Sequence, residues 1–225
     1  MAGARRPPGR PKKTDANPNA AADIRKAAAA LFLNGGFYQV SIEDVANACG
    51  ISRPTLYYHF SSKTDLFYAS ILWAIDETRS QAQAILKDRS PLYDRLYKFA
   101  DTRMRQGAPR IDIEILLMEA HPVLTEEQSK DLQRSYRRMI ETVADALADA
   151  ANRGEVQCDD PWLIAQTFIT LIRICRNARK HRHPADVVDL LFYGLSPEAA
   201  ARPSSRARSR RSDSGTYGQD GSLSR

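Results

Sequence analysis

The residues best equipped for specific polar contact lie close together, in the run Arg53-Pro-Thr-Leu-Tyr-Tyr-His59. An arginine offers a planar fork of donors that matches the acceptor edge of a guanine. Two phenols, an imidazole and a Thr hydroxyl add further donors, and the rings can pack against bases. On a two-turn helix successive side chains point roughly 100° apart, so Tyr57, Tyr58 and His59 cannot all be buried. If Ile42, Val45 and Ile51 face inward with Leu56 and Phe60, the outer face carries Arg53, Thr55, Tyr57, Tyr58 and His59. Such a face suits the major groove of a duplex, which admits one α-helix and lets its N-terminal residues meet base edges.

Those side chains need a rigid mount, and the flanking sequence describes one. Ile24, Ala27, Ala28, Leu31 and Phe32 line one face of a first helix that Gly35-Gly36 should end. Ser41-Ile-Glu-Asp44 reads as a capping box, with room for about two helical turns before Cys49-Gly50. Ser52 caps a second short helix over 53–58, and Ser62-Lys-Thr-Asp65 reads as another capping box, opening a long helix through Leu66, Phe67, Ile71 and Ile75. Gly50 permits a turn with φ > 0, and the small Ala46 and Cys49 allow close approach. Two short helices joined by so tight a turn form a helix-turn-helix.

The rest of the body is helical by the same criteria. Apolar residues recur at spacings of three and four, as in Leu132, Tyr136, Met139, Ile140, Val143 and Leu147, and no segment alternates over a strand's length. Ser90-Pro91, Asp160-Pro161 and His183-Pro184 place proline where a first helical turn tolerates it. Gly107 with Pro109, His121-Pro122 and Gly154 mark breaks. The expectation is an all-α protein of about nine helices, near 20–34, 42–48, 53–58, 62–86, 91–106, 110–119, 124–153, 161–180 and 184–194.

Composition bounds the function classes. The chain has 225 residues, is 43% hydrophobic and carries a formal charge of +6. No apolar run approaches the roughly 20 residues of a spanning helix, no apolar signal core follows the basic start, and no membrane partner is expected. Three widely spaced cysteines exclude a disulfide framework, so a cytoplasmic location is expected. The excess charge sits at the ends. Residues 1–15 carry five basic residues against Asp15, and residues 202–225 carry six arginines against two aspartates. Between them the body holds 22 basic and 24 acidic residues. Both tails are rich in Pro, Gly, Ser and Arg, and basic tails on a mildly acidic body suit a polyanion. No Gly-rich phosphate loop, no G-x-S-x-G and no paired-acid motif points to an enzyme, and no cofactor is expected. His181-x-His183 with Cys158-Asp159 could collect a metal, but the neighbouring Arg and Lys disfavour a cation.

The run AAALFLNGGFYQVSIEDVANACGISRPTLYYHFSSKTDLFYASI resembles the DNA-binding domain of TetR-family transcriptional regulators, over about 45 to 55 residues. The resemblance implies a small N-terminal DNA-binding domain of three helices plus the start of a fourth, a larger C-terminal domain with a ligand cavity, and a homodimer. It further implies regulation, usually repression, of a palindromic double-stranded operator, with release on ligand binding. Matched residue by residue, Arg53, Pro54, Thr55 and Tyr57 fall where the family meets base edges, and Tyr58, His59 and Lys63 where it meets phosphates. Ser41 and Ser52 add phosphate candidates through hydroxyls and free N–H groups at helix starts. The expected division is a basic arm over 1–19, the DNA-binding domain over 20–75, a sensing and dimerisation domain over 76–200, and an Arg/Ser-rich tail over 201–225.

The arm contains Pro8-Gly9-Arg10-Pro11-Lys12-Lys13, an AT-hook-like segment in which Arg10, Lys12 and Lys13 would enter an A·T minor groove. In the C-terminal domain Trp162, Phe168, Ile172, Val188, Leu191 and Phe192 lie on the last two helices, where the family dimerises. Trp73, Phe99, Met104, Leu116, Tyr136, Met139 and Phe168 fall on helices around the family's pocket, with Glu119, His121 and Arg173 as polar candidates. A lining of that kind suits a small, mostly apolar or amphipathic effector, such as an acyl thioester, a drug or an aromatic.

Overall fold

The computed structural model describes residues 19–105, 113–177 and 183–194. The arm residues Arg10, Lys12 and Lys13, the tail over 201–225 and His181 lie outside the described residues. Nine helices run through them: α1 (Ala20–Gln39), α2 (Ile42–Ala48), α3 (Arg53–His59), α4 (Lys63–Leu86), α5 (Leu92–Arg105), α6 (Ile113–Ala120), α7 (Glu126–Asn152), α8 (Pro161–Asn177) and α9 (Pro184–Tyr193). The fold is all-α, and no described helix is long and apolar enough to cross a membrane.

The expected ends hold to within a few residues, with one informative exception. The first helix does not stop at Gly35: helical geometry resumes to Gln39 after a kink at Gly36, whose φ of 81° and ψ of 168° leave the helical region. A side chain would resist that φ, and glycine does not. The kink turns Phe37 back into the core, where it meets Phe67 edge-on at 5.1 Å, as Phe32 does from the straight part of the helix. This aromatic knot seats α1 on the start of α4.

The first four helices enclose Ile24, Ala28, Phe32, Phe37, Val45, Ala46, Leu56, Leu66 and Phe67, all buried. The same apolar cluster continues without a break into Leu96, Phe99, Leu116, Leu132, Val143 and Phe168 of the later helices. The expected boundary between residues 75 and 76 falls inside α4, a single helix of 24 residues, so the two units share one rod. Beyond it α4 packs along α7, α7 along α8, and α9 against α5 and α8.

One buried charge fixes the far end of that rod. Arg95 is almost wholly buried and donates to the Leu86 carbonyl at 3.0 Å, while its other terminal nitrogen lies 3.5 Å from the Glu155 carboxylate. Glu155 also accepts the Leu92 backbone N–H at 2.8 Å. The ends of α4 and α7 and the start of α5 are thereby tied at one point. The buried Arg95 guanidinium is thus met by a carboxylate and a carbonyl, the pairing that a charge in the interior requires.

Candidate nucleic-acid interface and effector cavity

The helix-turn-helix is built by its caps. Ser41 accepts the Asp44 backbone N–H at 3.1 Å, and Asp44 accepts the Ser41 N–H at 2.8 Å, so the capping box is complete. At the other end of α2 the Gly50 N–H meets the Asn47 carbonyl at 3.1 Å and the Ile51 N–H meets the Ala46 carbonyl at 3.0 Å. That pair of bonds is a Schellman motif, and it needs a residue with positive φ at Gly50, which has φ 65°. Ser52 then caps α3 by accepting the Thr55 N–H at 3.3 Å. The expected box at Ser62 is only half formed. Ser62 accepts the Asp65 N–H, but the Asp65 carboxylate takes the hydroxyls of Ser61 and Ser62 rather than the Ser62 backbone N–H.

Of α3, Leu56 alone is buried. Arg53, Pro54, Thr55, Tyr57 and Tyr58 are exposed, Tyr57 at 47% and Tyr58 at 85%, and half-buried His59 meets Tyr58 edge-on. The paired phenols project outward. Arg53 points toward α2, where its guanidinium lies 3.5 Å from Glu43. An exposed pair of this kind contributes at most about 1 kcal/mol, so the guanidinium can leave it for a better partner.

The other candidates are more committed. The Ser41 hydroxyl donates to Asp44 at 2.7 Å, and those of Ser52 and Thr55 lie 2.8 Å apart. Lys63 folds back over the Phe37 ring at 4.6 Å, with its Nζ donating to the Tyr38 carbonyl at 3.4 Å. Burial pulls its pKa down, partly countered by the nearby Asp44 charge.

A cavity of about 100 Å³ lies among α4, α5, α7 and α8, with Leu33 of α1 and Ile113 of α6 at its edge. Phe99, Tyr136, Met139 and Arg173 line it; Trp73, Met104, Leu116, Glu119, His121 and Phe168 do not. Leu116 and Phe168 are fully buried core, and Phe168 packs behind the cavity on Phe99 at 6.2 Å. His121 sits exposed just past the end of α6.

Sequence reasoning missed Thr78, Thr170, Arg103 and Arg176, which also line the cavity. The signal was in the spacing. Arg103 follows Phe99 by one turn of α5, and Arg173 and Arg176 follow Ile169 and Ile172 on one face of α8. Burial, with the charge of Arg176 nearby, pushes the Arg103 pKa down to about 10, which still leaves it a cation at neutral pH.

On the last two helices Phe168, Ile172 and Val188 are buried within the subunit and face its own core rather than a partner. Trp162, Leu191 and Phe192 are half-buried, and the apolar residues left outside are Leu163, Ile174 and Leu190. Among the described residues no cluster of His, Cys, Asp and Glu could hold a metal. His183 instead caps α9, its Nδ1 accepting the Ala185 N–H at 3.2 Å.

A helix-turn-helix with an exposed recognition face, mounted on a helical body with an internal cavity, defines a class of DNA-binding regulator, and comparison with known proteins agrees. Residues 24–69 match the family model described as bacterial regulatory proteins, tetR family, and residues 117–179 match that of the AefR-like transcriptional repressor C-terminal domain. Both parts of the chain thus match models of TetR-family regulators, and it is a DNA-binding transcriptional regulator. It is 28% identical over 145 residues to the HTH-type transcriptional regulator UidR of Escherichia coli K12, covering 60% of this chain and 68% of that one. Among solved structures, FadR from Bacillus subtilis in complex with stearoyl-CoA superposes with a TM-score of 0.62 at 16% identity, over 78% of this chain and 99% of that one. AibR in complex with isovaleryl coenzyme A and operator DNA superposes with a TM-score of 0.59 at 18% identity, over 78% and 98%. At such identities the two structures establish the fold.

Proposed function

We propose that the protein is a homodimeric repressor that binds a palindromic operator and leaves it when a small amphipathic effector enters the cavity. The observation that carries this reading is the outward face of α3, where Arg53, Pro54, Thr55, Tyr57 and Tyr58 are all exposed around a single buried anchor, Leu56. Arg53, Pro54, Thr55 and Tyr57 read base edges, Arg53 exchanging Glu43 for a guanine. Tyr58, His59 and Lys63 hold phosphates, and the helix starts at Ser41 and Ser52 add backbone donors. The Asp44 carboxylate beside Ser41 makes that start the weaker of the two for an anion. Arg10, Lys12 and Lys13 follow the minor groove.

A dimer supplies two such faces about one DNA turn apart, as a palindrome requires. Its interface lies on α8 and α9, where Leu163, Ile174 and Leu190 are left exposed beside Trp162, Leu191 and Phe192. The match to a repressor C-terminal domain supports repression. The acyl-CoA molecules bound by FadR and AibR support an acyl compound as the effector.

At about 100 Å³ the cavity is smaller than the roughly 300 Å³ at which ligand pockets begin. An effector therefore spreads the helices that line it, and α4, which supplies Ala74, Ile75 and Thr78 to the lining, carries that movement to α3. Footprinting of the DNA upstream of its own gene tests the reading. A protected palindrome, lost on adding an effector, supports it, and protection of no discrete site overturns it. Sedimentation of the free protein as a monomer at micromolar concentration overturns the dimer.

A further inference from the structure

The cavity is chemically lopsided. On α5 the order along the chain is Phe99 and then Arg103; on α8 it is Ile169 and Ile172, then Arg173 and Arg176. Phe99 packs on Phe168 of α8, and Arg103 feels the charge of Arg176, so the two helices run side by side in the same sense. Phe99 and Ile169 therefore lie toward one end of the cavity, and Arg103 and Arg176 toward the other. Tyr136 and Met139 of α7 and Ala74 and Ile75 of α4 complete the apolar part. No carboxylate is among the described lining residues.

Arg103 is the revealing member. It is half-buried, and among the described residues the charged group whose field reaches it is another guanidinium. Arg103 has lost hydration and lies beside a like charge, and a bound anion would offset both effects at its guanidinium. The contrast with Arg95 is direct, since that buried guanidinium is met by Glu155. Arginine is also the side chain whose fork matches the oxygens of carboxylate and phosphate.

We propose that the arginine end of this cavity, with Arg103 at its centre, is a subsite for an anionic group, carboxylate or phosphate, on an effector whose apolar part lies against Phe99, Tyr136, Met139 and Ile169. This rests on the reading of the cavity as the effector site. It narrows the effector from any small apolar molecule to an anionic amphiphile, and it makes neutral analogues of the same shape poor ligands.

Titration calorimetry on the full chain tests the subsite without DNA. The probes are octanoate, octyl phosphate and 1-octanol, which share a tail and differ in head group. The expected result is that at least one anion binds about tenfold or more tightly than octanol, as a charge-assisted hydrogen bond implies. The stronger anion identifies the head group the site takes. Arg103→Met should remove most of that preference, Arg103→Lys should keep part of it, and Arg105→Met, on the exposed side of the same helix end, should leave it intact. Octanol binding as tightly as both anions, no binding of either anion, or a preference untouched in Arg103→Met each overturns the subsite. Should Arg103→Met not fold, the comparison of head groups on the unaltered protein still decides. Footprinting with the same probes separates the two readings. Octanol stripping the operator as well as the anions refutes the subsite and leaves induction standing, whereas anions that bind through Arg103 without releasing DNA refute induction and leave the subsite standing.

Discussion

The Tyr68 hydroxyl donates a hydrogen bond of 2.5 Å to the Asp131 carboxylate, joining residues 63 apart in sequence. Tyr68 stands on α4 just past the helix-turn-helix, and Asp131 near the start of α7. Two neighbours repeat the link. Gln128 of α7 donates to Asp65 at 3.3 Å, and Ser135 of α7 donates to Asp76 at 2.9 Å. The rod that emerges from the DNA-binding unit is thus laced to α7 by side-chain hydrogen bonds as well as by apolar packing.

Removing the phenol oxygen should loosen that lacing without creating a cavity. Tyr68→Phe is expected to lower stability by about 1–2 kcal/mol, toward the low end because Asp131 keeps a second partner in Arg134 at 3.2 Å. The midpoint of urea unfolding measures it. An unchanged midpoint would show that the bond contributes nothing net.

The same pair makes stability depend on pH at both extremes. Hydrogen bonds hold the Asp131 and Asp65 carboxyls below their usual range, so their contribution is present above pH about 4 and is lost as acid protonates them. Tyr68 is pushed up to about 12, chiefly by its bond to Asp131 and then by burial. Its contribution is complete below the ordinary phenol value near 10 and disappears as pH rises from there to about 12. Unfolding midpoints across pH should therefore fall between 10 and 12 in the parent more than in Tyr68→Phe. Parallel curves would contradict the assignment.

Base reading and phosphate holding should separate in mutants. Arg53→Ala is expected to cost about 1–3 kcal/mol at one position of the operator and to relax the preference there. Lys63→Ala should weaken all sites alike and flatten the log–log salt dependence by about one unit. Glu43→Gln frees Arg53 from its resting pair and should tighten binding to unrelated DNA more than to the operator. Competition binding with randomised sites measures all three, and an unaltered preferred sequence in Arg53→Ala would sink the base-contact assignment.

Gly50 offers a test of backbone alone. A Cβ there would meet nothing within 4 Å, yet φ is +65°. Gly50→Ala should therefore destabilise by about 1–2 kcal/mol through the left-handed conformation, with no steric term. Gly50→Asn, which tolerates that region better, should lose less, as thermal unfolding of the two variants would show.

The DNA-facing half was legible in the sequence because its determinants are local. A cap three residues from its partner, a glycine after a helix and a single inward Leu56 all act within one or two turns, and the structure places each as its spacing implies. The Ser62 box failed for a local reason too, since Ser61 offered Asp65 a hydroxyl in place of the backbone N–H. The C-terminal half was harder because its cavity is assembled from helices far apart in sequence. Met104 and Leu116 have the composition of a pocket wall, but which side of a helix faces a void depends on its neighbours. Three of the six apolar residues expected between subunits lie inside the subunit for the same cause: Phe168, Ile172 and Val188 are buried, and the packing of α5 on α8 and α9 is something no periodicity within those two helices reveals.

The unbroken course of α4 has a mechanical consequence. Twelve residues separate Ile75 at the cavity from Lys63 at the helix start, a span of about 18 Å at 1.5 Å per residue. A stiff bar pivoting by about 10° near Ile75 would swing its tip sideways by about 3 Å over that length. In the proposed dimer the α3 faces carried by two such tips would change their spacing by up to twice that amount. In the proposed mechanism a small guest would become a large discrepancy of fit, volume being converted into angle and angle into distance.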